Sequence, residues 1–312
     1  MLNYVVLFKN PLHFRNFSGL QTQKFETLNS QIKAKYPAFE QKRPQRKDRK
    51  RAVGAGHPFV LPLTDRLLML LIYYHMYPSS TLLGYLFCVS QTGVLKNIRK
   101  LEPLVSEVLP LPKLEHDKVR RLQTVDEIEA MFPGFKAFLD ATEQEIPRPQ
   151  SKRKRRTHYS GKRKKHTVKT QLTVNKQGLI IHKTSHVKGS MHDYTLYKHS
   201  HPRLPEQVRL DLDLGYLGIK DDFPKLNCTL PFKRKNPGRG KIGVKAEELS
   251  DEQKAFNKAL ATERVVVEHT NSRVKKYRVF GDEFRNRLKH YDMMTNIVCG
   301  LVNFRVSGKL PI

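Results

Sequence analysis

The stretch VKTQLTVNKQGLIIHKT (168–184) decides how the second half of this sequence folds. From Val168 to Val174, every second residue is apolar or β-branched, which is the period of a half-buried strand. The following NKQG predicts a tight turn, and Leu179 and Ile181 alternate again on the return path. The stretch therefore predicts an antiparallel β-hairpin.

Around this hairpin, the residue patterns predict further strands and helices in alternation. In chain order they are a strand at 135–139 that ends at Asp140, a short helix at 192–199, strands at 208–212 and 227–232, a long helix from a capping box at 250–253 to about 276, and a last helix at 287–304. Antiparallel strands followed by strand–helix alternation describe a mixed sheet flanked by helices, so the predicted fold class is mixed α/β.

The first half of the sequence is predicted to be all helical. In chain order we expect a helix at 20–36, a charged linker at 41–57, a helix that starts at Thr64 or Asp65, a second at 81–87 capped by Ser80, and a third at 91–104 capped by Ser90. Two short helices joined by a tight turn, with a basic outer face on the second, are typical of a helix-turn-helix. A small helical bundle with a cationic face would give the same pattern. In the helix-turn-helix interpretation, the residues that reach DNA are Gln91, Thr92, Lys96, Arg99 and Lys100.

The charge of the sequence points to a polyanionic partner. Lys and Arg number 58 against 29 Asp and Glu, which gives a net charge of +29. The basic residues cluster at 42–51, 152–169 and 233–245. Hydrophobic residues make up 38% of the chain, which excludes a wholly disordered basic tail. Within the second run, the candidate DNA-binding residues are Lys162, Arg163, Lys164 and Lys165.

The cysteines and the apolar segments indicate the compartment. Cys88, Cys228 and Cys299 are odd in number and far apart, which matches no disulfide framework or zinc site and fits a reducing compartment. The N-terminal MLNYVVLF lacks the basic segment and cleavage site of a secretory signal. No apolar run is long enough to span a bilayer. We therefore expect a cytoplasmic protein with no membrane partner.

Carboxylates are scarce in this cationic chain, so their positions are informative. Asp140 and Asp213 each follow a predicted strand, and Glu268 lies inside the long helix. Several carboxylates brought to one point could hold divalent ions such as Mg²⁺ for phosphodiester chemistry. The alternative is structural: the aspartates would cap turns, and Glu268 would pair with Arg264 one turn earlier. The residues alone leave both interpretations open.

Several sequence blocks together resemble a known family. The blocks are LDATEQEIPRP (139–149), YSGKRKKHTVK (159–169), HD (192–193), LDLGYLG (212–218), LPFKRKNP (230–237), RVVVEHTNSRVKKYRVF (264–280) and, before them, RKRAVGAGHPFVLPLTDRLLML (49–70). In this order they resemble the blocks of bacterial insertion-sequence transposases of the DDE type, which are related to the Harbinger-type transposases. The resemblance covers about residues 14–305 and implies an RNase-H-like catalytic domain preceded by a helix-turn-helix.

The resemblance also implies residue roles. Asp140, Asp213 and Glu268 match the catalytic triad that holds two Mg²⁺ ions, for which Mn²⁺ would substitute, and Asp193 matches an accessory acid. Asp213 fits better than Asp211 because the family aspartate precedes x-Gly-Tyr. The family often has a lysine where this chain has Leu214, which removes a potential phosphate contact but no metal ligand.

The expected function follows from that family. We expect a transposase that binds the terminal inverted repeats of its element and catalyses metal-dependent cleavage and strand transfer on double-stranded DNA, as a homodimer or larger assembly on paired ends in the bacterial nucleoid. Lys275 is a further expected DNA contact. The expected domains are 1–57, 58–112 (helix-turn-helix), 113–134 (connector) and 135–306 (catalytic). The alternatives are a non-catalytic, decayed or domesticated DNA-binding protein and a basic RNA-binding protein.

Overall fold

The structure is a computed structural model that describes residues 1–42, 58–234 and 248–311. In chain order the helices are α1 (Tyr4–Phe8), α2 (Pro11–Ser18), α3 (Thr22–Lys42), α4 (Leu63–Met76), α5 (Ser80–Phe87), α6 (Gln91–Val108), α7 (Pro112–Val119), α8 (Val125–Met131), α9 (Lys152–His158), α10 (Asp193–His199), α11 (Ile219–Asp222), α12 (Asp251–Lys275), α13 (Arg278–Gly281) and α14 (Tyr291–Ser307). The strands are β1 (Lys136–Glu145), β2 (Tyr159–Ser160), β3 (Lys165–Asn175), β4 (Ile180–Lys183), β5 (Val187–Lys188), β6 (Arg209–Asp211) and β7 (Cys228–Thr229). Within the described residues, no helix combines the length and the apolar character that a membrane span requires.

The chain forms two compact units. The first joins Met1–Leu111 with Arg273–Ile312, and the second is Pro112–Ser272. The first unit is helical and the second contains the sheet. The domain boundaries expected from the sequence stay predictions, and the structure adds that α14 belongs to the first unit. The basic runs at 42–51 and 233–245 lie almost wholly outside the described residues.

Helix α4 is the centre of the first unit. The five residues from Leu67 to Leu71 are completely buried, so this helix is apolar on every side, as expected of a helix surrounded by others. Helices α2, α6 and α13 pack against it, and α14 packs against α6. A Cβ on Gly300 of α14 would lie 2.9 Å from Leu109 Cβ, so only glycine permits this close approach. The C-terminal segment therefore completes the helical core.

The second unit is built on a mixed sheet. Its strand order is β2-β3-β1-β6-β7, and β4 and β5 pair with other parts of β3. Strand β1 is antiparallel to β3 and parallel to β6, which is parallel to β7. On one face, Ala137, Leu139, Leu210 and Tyr216 share a buried apolar cluster with Tyr197 of α10. The predicted mixed α/β class and the β3–β4 hairpin are confirmed.

The first strand is longer than predicted. We expected it to end at Asp140, but β1 continues to Glu145 because every residue from Ala137 to Glu145 pairs with β3. Asp140 therefore lies within the strand, opposite Leu172. Pairing with a distant strand outweighs the polar composition of residues 140–145.

Two other segments contain more helix than predicted. The expected connector holds α7 and α8, and α8 begins with a capping box formed by Thr124 and Glu127. At the N-terminus, α1 and α2 precede the one helix that the periodicity predicted. The side chains of Asn3 and Asn10 cap these two short helices.

Candidate active site and nucleic-acid interface

Asp140 lies on β1 and faces α12. Asn271 of that helix donates a hydrogen bond from Nδ2 to Asp140 Oδ2 at 2.7 Å. Burial raises the pKa of Asp140 to about 6; the positive charge of Arg264 opposes this shift, and the negative charges of Asp213 and Asp193 add to it. These charge effects mean that the three aspartates lie close enough to repel one another.

The register of the sheet explains why Asp213 lies near Asp140. Strands β1 and β6 run parallel with Phe138 opposite Asp211, and adjacent strands lie about 4.8 Å apart. Two positions further along the chain are Asp140 in β1 and Asp213 just beyond β6. The two aspartates therefore lie on neighbouring segments that run in the same direction. Asp213 also caps a 3₁₀ turn, since its Oδ1 accepts a hydrogen bond from the Gly215 amide at 2.8 Å.

Asp211, the neighbouring candidate, is engaged elsewhere. Its side chain is completely buried, and Arg209 donates to its two oxygens at 2.8 and 3.1 Å. Burial raises the pKa of Asp211, and the bonds to Arg209 oppose that shift. A carboxylate held in this way is part of the internal ion pairing of the sheet.

Asp193 is the third aspartate of the cluster. A Cβ on Gly215 would lie 2.9 Å from Asp213 Oδ1 and 3.7 Å from Asp193 Oδ2. Gly215 therefore lies between the two carboxylates, and a larger residue would press on Asp213. The structure thus brings Asp193 to the two aspartates that the sequence placed at strand ends.

Lys169 holds Asp193 in place, and the sequence analysis did not identify it. Its Nζ lies 2.7 Å from Asp193 Oδ1 and 3.6 Å from Glu143 Oε1, and it donates to the Met191 carbonyl at 2.7 Å. The Lys169 and Glu143 side chains are each only 10% exposed. Lys169 and Glu143 are cross-strand partners in β3 and β1, a signal that becomes visible only once the register is known.

Glu268 is exposed on α12. The salt bridge to Arg264 that the sequence suggested is not among the ion pairs of the described residues, and Arg264 donates instead to the Leu139 carbonyl at 3.5 Å. Glu268 precedes Asn271 by three residues, which places both on one side of the helix. Because Asn271 contacts Asp140, this side of α12 is the one directed toward the aspartates.

The carboxylates are the type of ligand that a divalent metal prefers, but the described residues do not form a complete metal site. Asp140 and Asp213 offer hard oxygen ligands of the type that Mg²⁺ prefers, and their mutual repulsion would be relieved by a cation between them. Across residues 1–42, 58–234 and 248–311, no three carboxylate, imidazole or thiol side chains lie close enough together to hold a metal ion. Of the three predicted ligands, Asp140 and Asp213 lie close enough for their charges to interact, and Glu268 is exposed on α12.

The first unit contains two short helices with the geometry of a helix-turn-helix. Ser90 caps α6 as predicted, accepting a hydrogen bond from the Gly93 amide at 3.1 Å. Helix α5 is capped by Ser79 and not by Ser80, because α5 begins one residue earlier than predicted. A Cβ on Gly84 would lie 2.6 Å from the Val89 carbonyl oxygen, so this glycine lets the turn fold back onto α5.

Four of the five predicted DNA-contacting residues of α6 are exposed. They are Gln91, Thr92, Lys96 and Arg99. Lys100 differs, because its ammonium pairs with Glu40 at 2.6 Å and lies 4.2 Å from the centre of the Phe59 ring. Its side chain is only 10% exposed. In this structure Lys100 stabilises the packing of the helical unit and is not free for a phosphate.

The predicted contacts of the second basic run divide in the same way. Lys162, Arg163 and Lys164 are exposed in the turn between β2 and β3. Lys165, at the start of β3, pairs with Glu145 of β1 at 2.5 Å. Outside this run, the further predicted contact Lys275 is half-buried at the end of α12. The exposed turn is therefore the part of this run best suited to bind an anion.

Comparisons with known proteins place these features in a family. Residues 139–303 match the family model described as DDE superfamily endonuclease, and residues 59–111 match the helix-turn-helix of DDE superfamily endonuclease. A probable transposase for insertion sequence element IS702 from Microchaete diplosiphon is 28% identical over 298 residues, covering 95% of each chain. No solved structure matches the chain.

Proposed function

We propose a function on the premise that this chain belongs to the DDE superfamily endonuclease family, whose model covers more than half of it. The chain is a transposase that binds the inverted repeats at the ends of its insertion sequence, cuts DNA there and joins the freed ends to target DNA. The relative described as a probable transposase, similar over 95% of this chain, supports the same function. The observation that carries the proposal is the parallel register of β1 and β6, which pairs Phe138 with Asp211, each two residues before a candidate aspartate.

The proposed site uses carboxylates and no covalent nucleophile. Asp140, Asp213 and Glu268 would hold Mg²⁺, or Mn²⁺ in its place, and the bound ions would activate the attacking oxygen and stabilise the leaving one. Asn271 fixes the direction of the Asp140 carboxylate through its 2.7 Å hydrogen bond. Lys169 keeps Asp193 turned toward the loop that precedes α10 by bonding both Asp193 and the Met191 carbonyl.

DNA would be recognised at a second surface. The exposed residues at the N-terminal part of α6 would read base edges in the major groove, and basic residues would bind phosphates. The partner is double-stranded DNA, at the element ends and at the target. Cutting two ends together would need a homodimer or a larger assembly, acting at the nucleoid in the bacterial cytoplasm.

The test is cleavage of DNA that carries the inverted repeats flanking the coding sequence. With Mg²⁺, Asp140→Ala and Asp213→Ala should each reduce cutting by about 1,000-fold or more while binding to the same DNA persists. Asp221→Ala is the matched control, because Asp221 is an exposed aspartate of the same unit, and it should cut like the wild type. Cutting retained by Asp140→Ala would exclude the proposed site.

A non-catalytic DNA-binding protein is the second candidate. The exposed position of Glu268 favours it, because the described residues contain no group of three possible ligands close enough together to hold a metal ion. Such a protein would bind the inverted repeats through α6, and the wild type would leave them uncut with either Mg²⁺ or Mn²⁺. The same cleavage assay therefore separates the two candidates.

A further inference from the structure

A cleft of about 290 Å³ opens in the second unit beside the aspartate cluster. One wall is the turn between β2 and β3, and the other is the loop between β5 and α10. The residues that matter for its chemistry are Ala141, Lys162, Arg163, Lys169, Ser190 and Asp193. Asp193 lines the cleft, and a Cβ on Gly215 would lie 3.7 Å from Asp193 Oδ2 and 2.9 Å from Asp213 Oδ1, so the cleft lies beside the proposed cutting site.

The cations of this cleft have two different roles. Lys169 lies at its floor and is bonded to Asp193 and the Met191 carbonyl. Lys162 and Arg163 are exposed at its rim, and neither pairs with a carboxylate among the described residues. The rim cations are therefore available for an external anion, whereas the floor lysine is occupied by the protein's own carboxylates.

The size of the cleft limits what can enter. Its volume is that of a cube of roughly 7 Å edge, so the cleft cannot enclose a duplex, whose major groove alone is roughly 12 Å wide. It has room for a short segment of a single strand. None of the described residues that line the cleft is Phe, Tyr or Trp, and His192 supplies its one ring, so a strand would be held mainly through its phosphates.

We propose that this cleft holds one unpaired DNA strand next to the phosphate that is cut, with Lys162 and Arg163 binding the phosphates of that strand. The inference rests on the proposed function and adds the path of the strand to it. It predicts that strand binding does not depend on base identity, since the contacts are to the backbone.

The first test fills the cleft without changing its charge. A Cβ on Gly161, which also lines the cleft, would meet no atom within 4 Å, so Gly161→Trp can be accommodated. We expect this variant to lose about tenfold or more in affinity for a fluorescein-labelled single strand of about ten thymidines, measured by anisotropy. Affinity for a blunt duplex should not change. Ser185→Trp, at an exposed residue outside the cleft, is the steric control.

The second test removes charge from the rim. Arg163→Ala should weaken single-strand binding and reduce the slope of log affinity against log salt by about 0.7, the value for one phosphate contact on a single strand. Lys164→Ala is the matched control, because Lys164 is exposed in the same turn but does not line the cleft. An abasic strand of equal length should bind the wild type as well as the thymidine strand does.

The outcomes separate this inference from the proposed function. If the wild type cuts element ends and Gly161→Trp cuts and binds single strands equally well, the cleft is not the strand path. If Gly161→Trp weakens the binding of duplex and single-stranded DNA equally, the cleft binds the backbone of duplex DNA, which also overturns the inference. If the wild type binds single strands in the cleft but never cuts, the proposed function fails and the strand site stands.

Discussion

The two surfaces proposed to act on DNA use their charges in opposite ways. On α6, Lys96 and Arg99 are exposed on the outer face of a helix. At the aspartate cluster, Lys169 is almost completely buried and bonded to oxygens of the protein. An exposed cation gives up little when it meets a phosphate, whereas a buried one would have to abandon its carboxylates.

This difference separates the cations that are available to an external phosphate from those that hold acids of the protein in place. The net charge of +29 describes the whole chain, but it does not distinguish these roles. Strand β3 shows the contrast in burial within a few residues, since Lys165, which pairs with Glu145, is 58% exposed and Lys169 is 10% exposed. Burial therefore decides the role of a lysine more than its membership of a basic run.

The largest expected effect comes from breaking the buried pairing of Lys169. Lys169→Met should lower the free energy of unfolding by about 3 kcal/mol, because Glu143, whose side chain is 10% exposed, and the partly buried Asp193 would lose their counter-charge. Lys165→Met, which breaks the exposed pair with Glu145, should cost less than about 1 kcal/mol. Urea denaturation of the two variants measures both values. Equal losses would show that burial does not separate the two lysines.

The second prediction concerns a buried ring that the interior keeps uncharged. Burial lowers the pKa of His182 to about 4, and the positive charges of His116, Lys183 and His201 act in the same direction. In the unfolded chain the pKa would be about 6.5, so the unfolded state takes up a proton first as the pH falls. Stability should therefore be full above pH 6.5 and decrease by about 3 kcal/mol toward pH 4.

Replacing the ring tests that assignment. His182→Phe removes the titrating group, so the difference in unfolding free energy between wild type and variant should change steadily between pH 6.5 and 4 and stay constant above pH 7. A parallel pH dependence of the two proteins would mean that other groups cause the loss. The measurement is urea denaturation at a series of pH values.

Local signals predicted where several helices begin. Ser90 accepts the hydrogen bond from Gly93 that begins α6, and Ser250 and Gln253 form the capping box that begins α12. These motifs involve residues three positions apart, so the sequence contains the whole interaction. The missed helix α8 carries the same signal at Thr124.

Contacts between distant residues could not be predicted. The continuation of β1 to Glu145 depends on Thr167 in β3, and the hydrogen bond between Asn271 and Asp140 joins residues 131 positions apart. Neither residue type nor spacing indicates such a pair before the register of the sheet is known. Asp140 and Asp213 were an exception, because the resemblance to a family supplied their positions.

The third prediction tests the contact between Asn271 and Asp140. Asn271→Ala removes the donor that holds Asp140 Oδ2 and should reduce cutting by roughly 10- to 100-fold, the usual cost of losing a group that orients a metal ligand. It should also raise the Mg²⁺ concentration needed for half-maximal cutting, which a purely structural residue would not do. Ser272→Ala, at the exposed neighbouring position, is the control. Normal cutting with a normal Mg²⁺ requirement would show that Asp140 needs no such support.

The smallest expected effect tests the exposed cations of α6. Lys96→Ala and Arg99→Ala together should weaken binding to the inverted repeat more than binding to random duplex, by about 1–3 kcal/mol if one of them contacts a base. If both contact only phosphate, the two losses will be equal and the salt slope will fall by about 1.8. Lys100→Ala should change neither DNA affinity by much, because its ammonium is already paired with Glu40. A large loss of DNA affinity in Lys100→Ala, with stability unchanged, would mean that this buried and paired lysine leaves Glu40 to bind DNA. Burial would then not distinguish the cations of α6 that bind DNA from those that stabilise the fold.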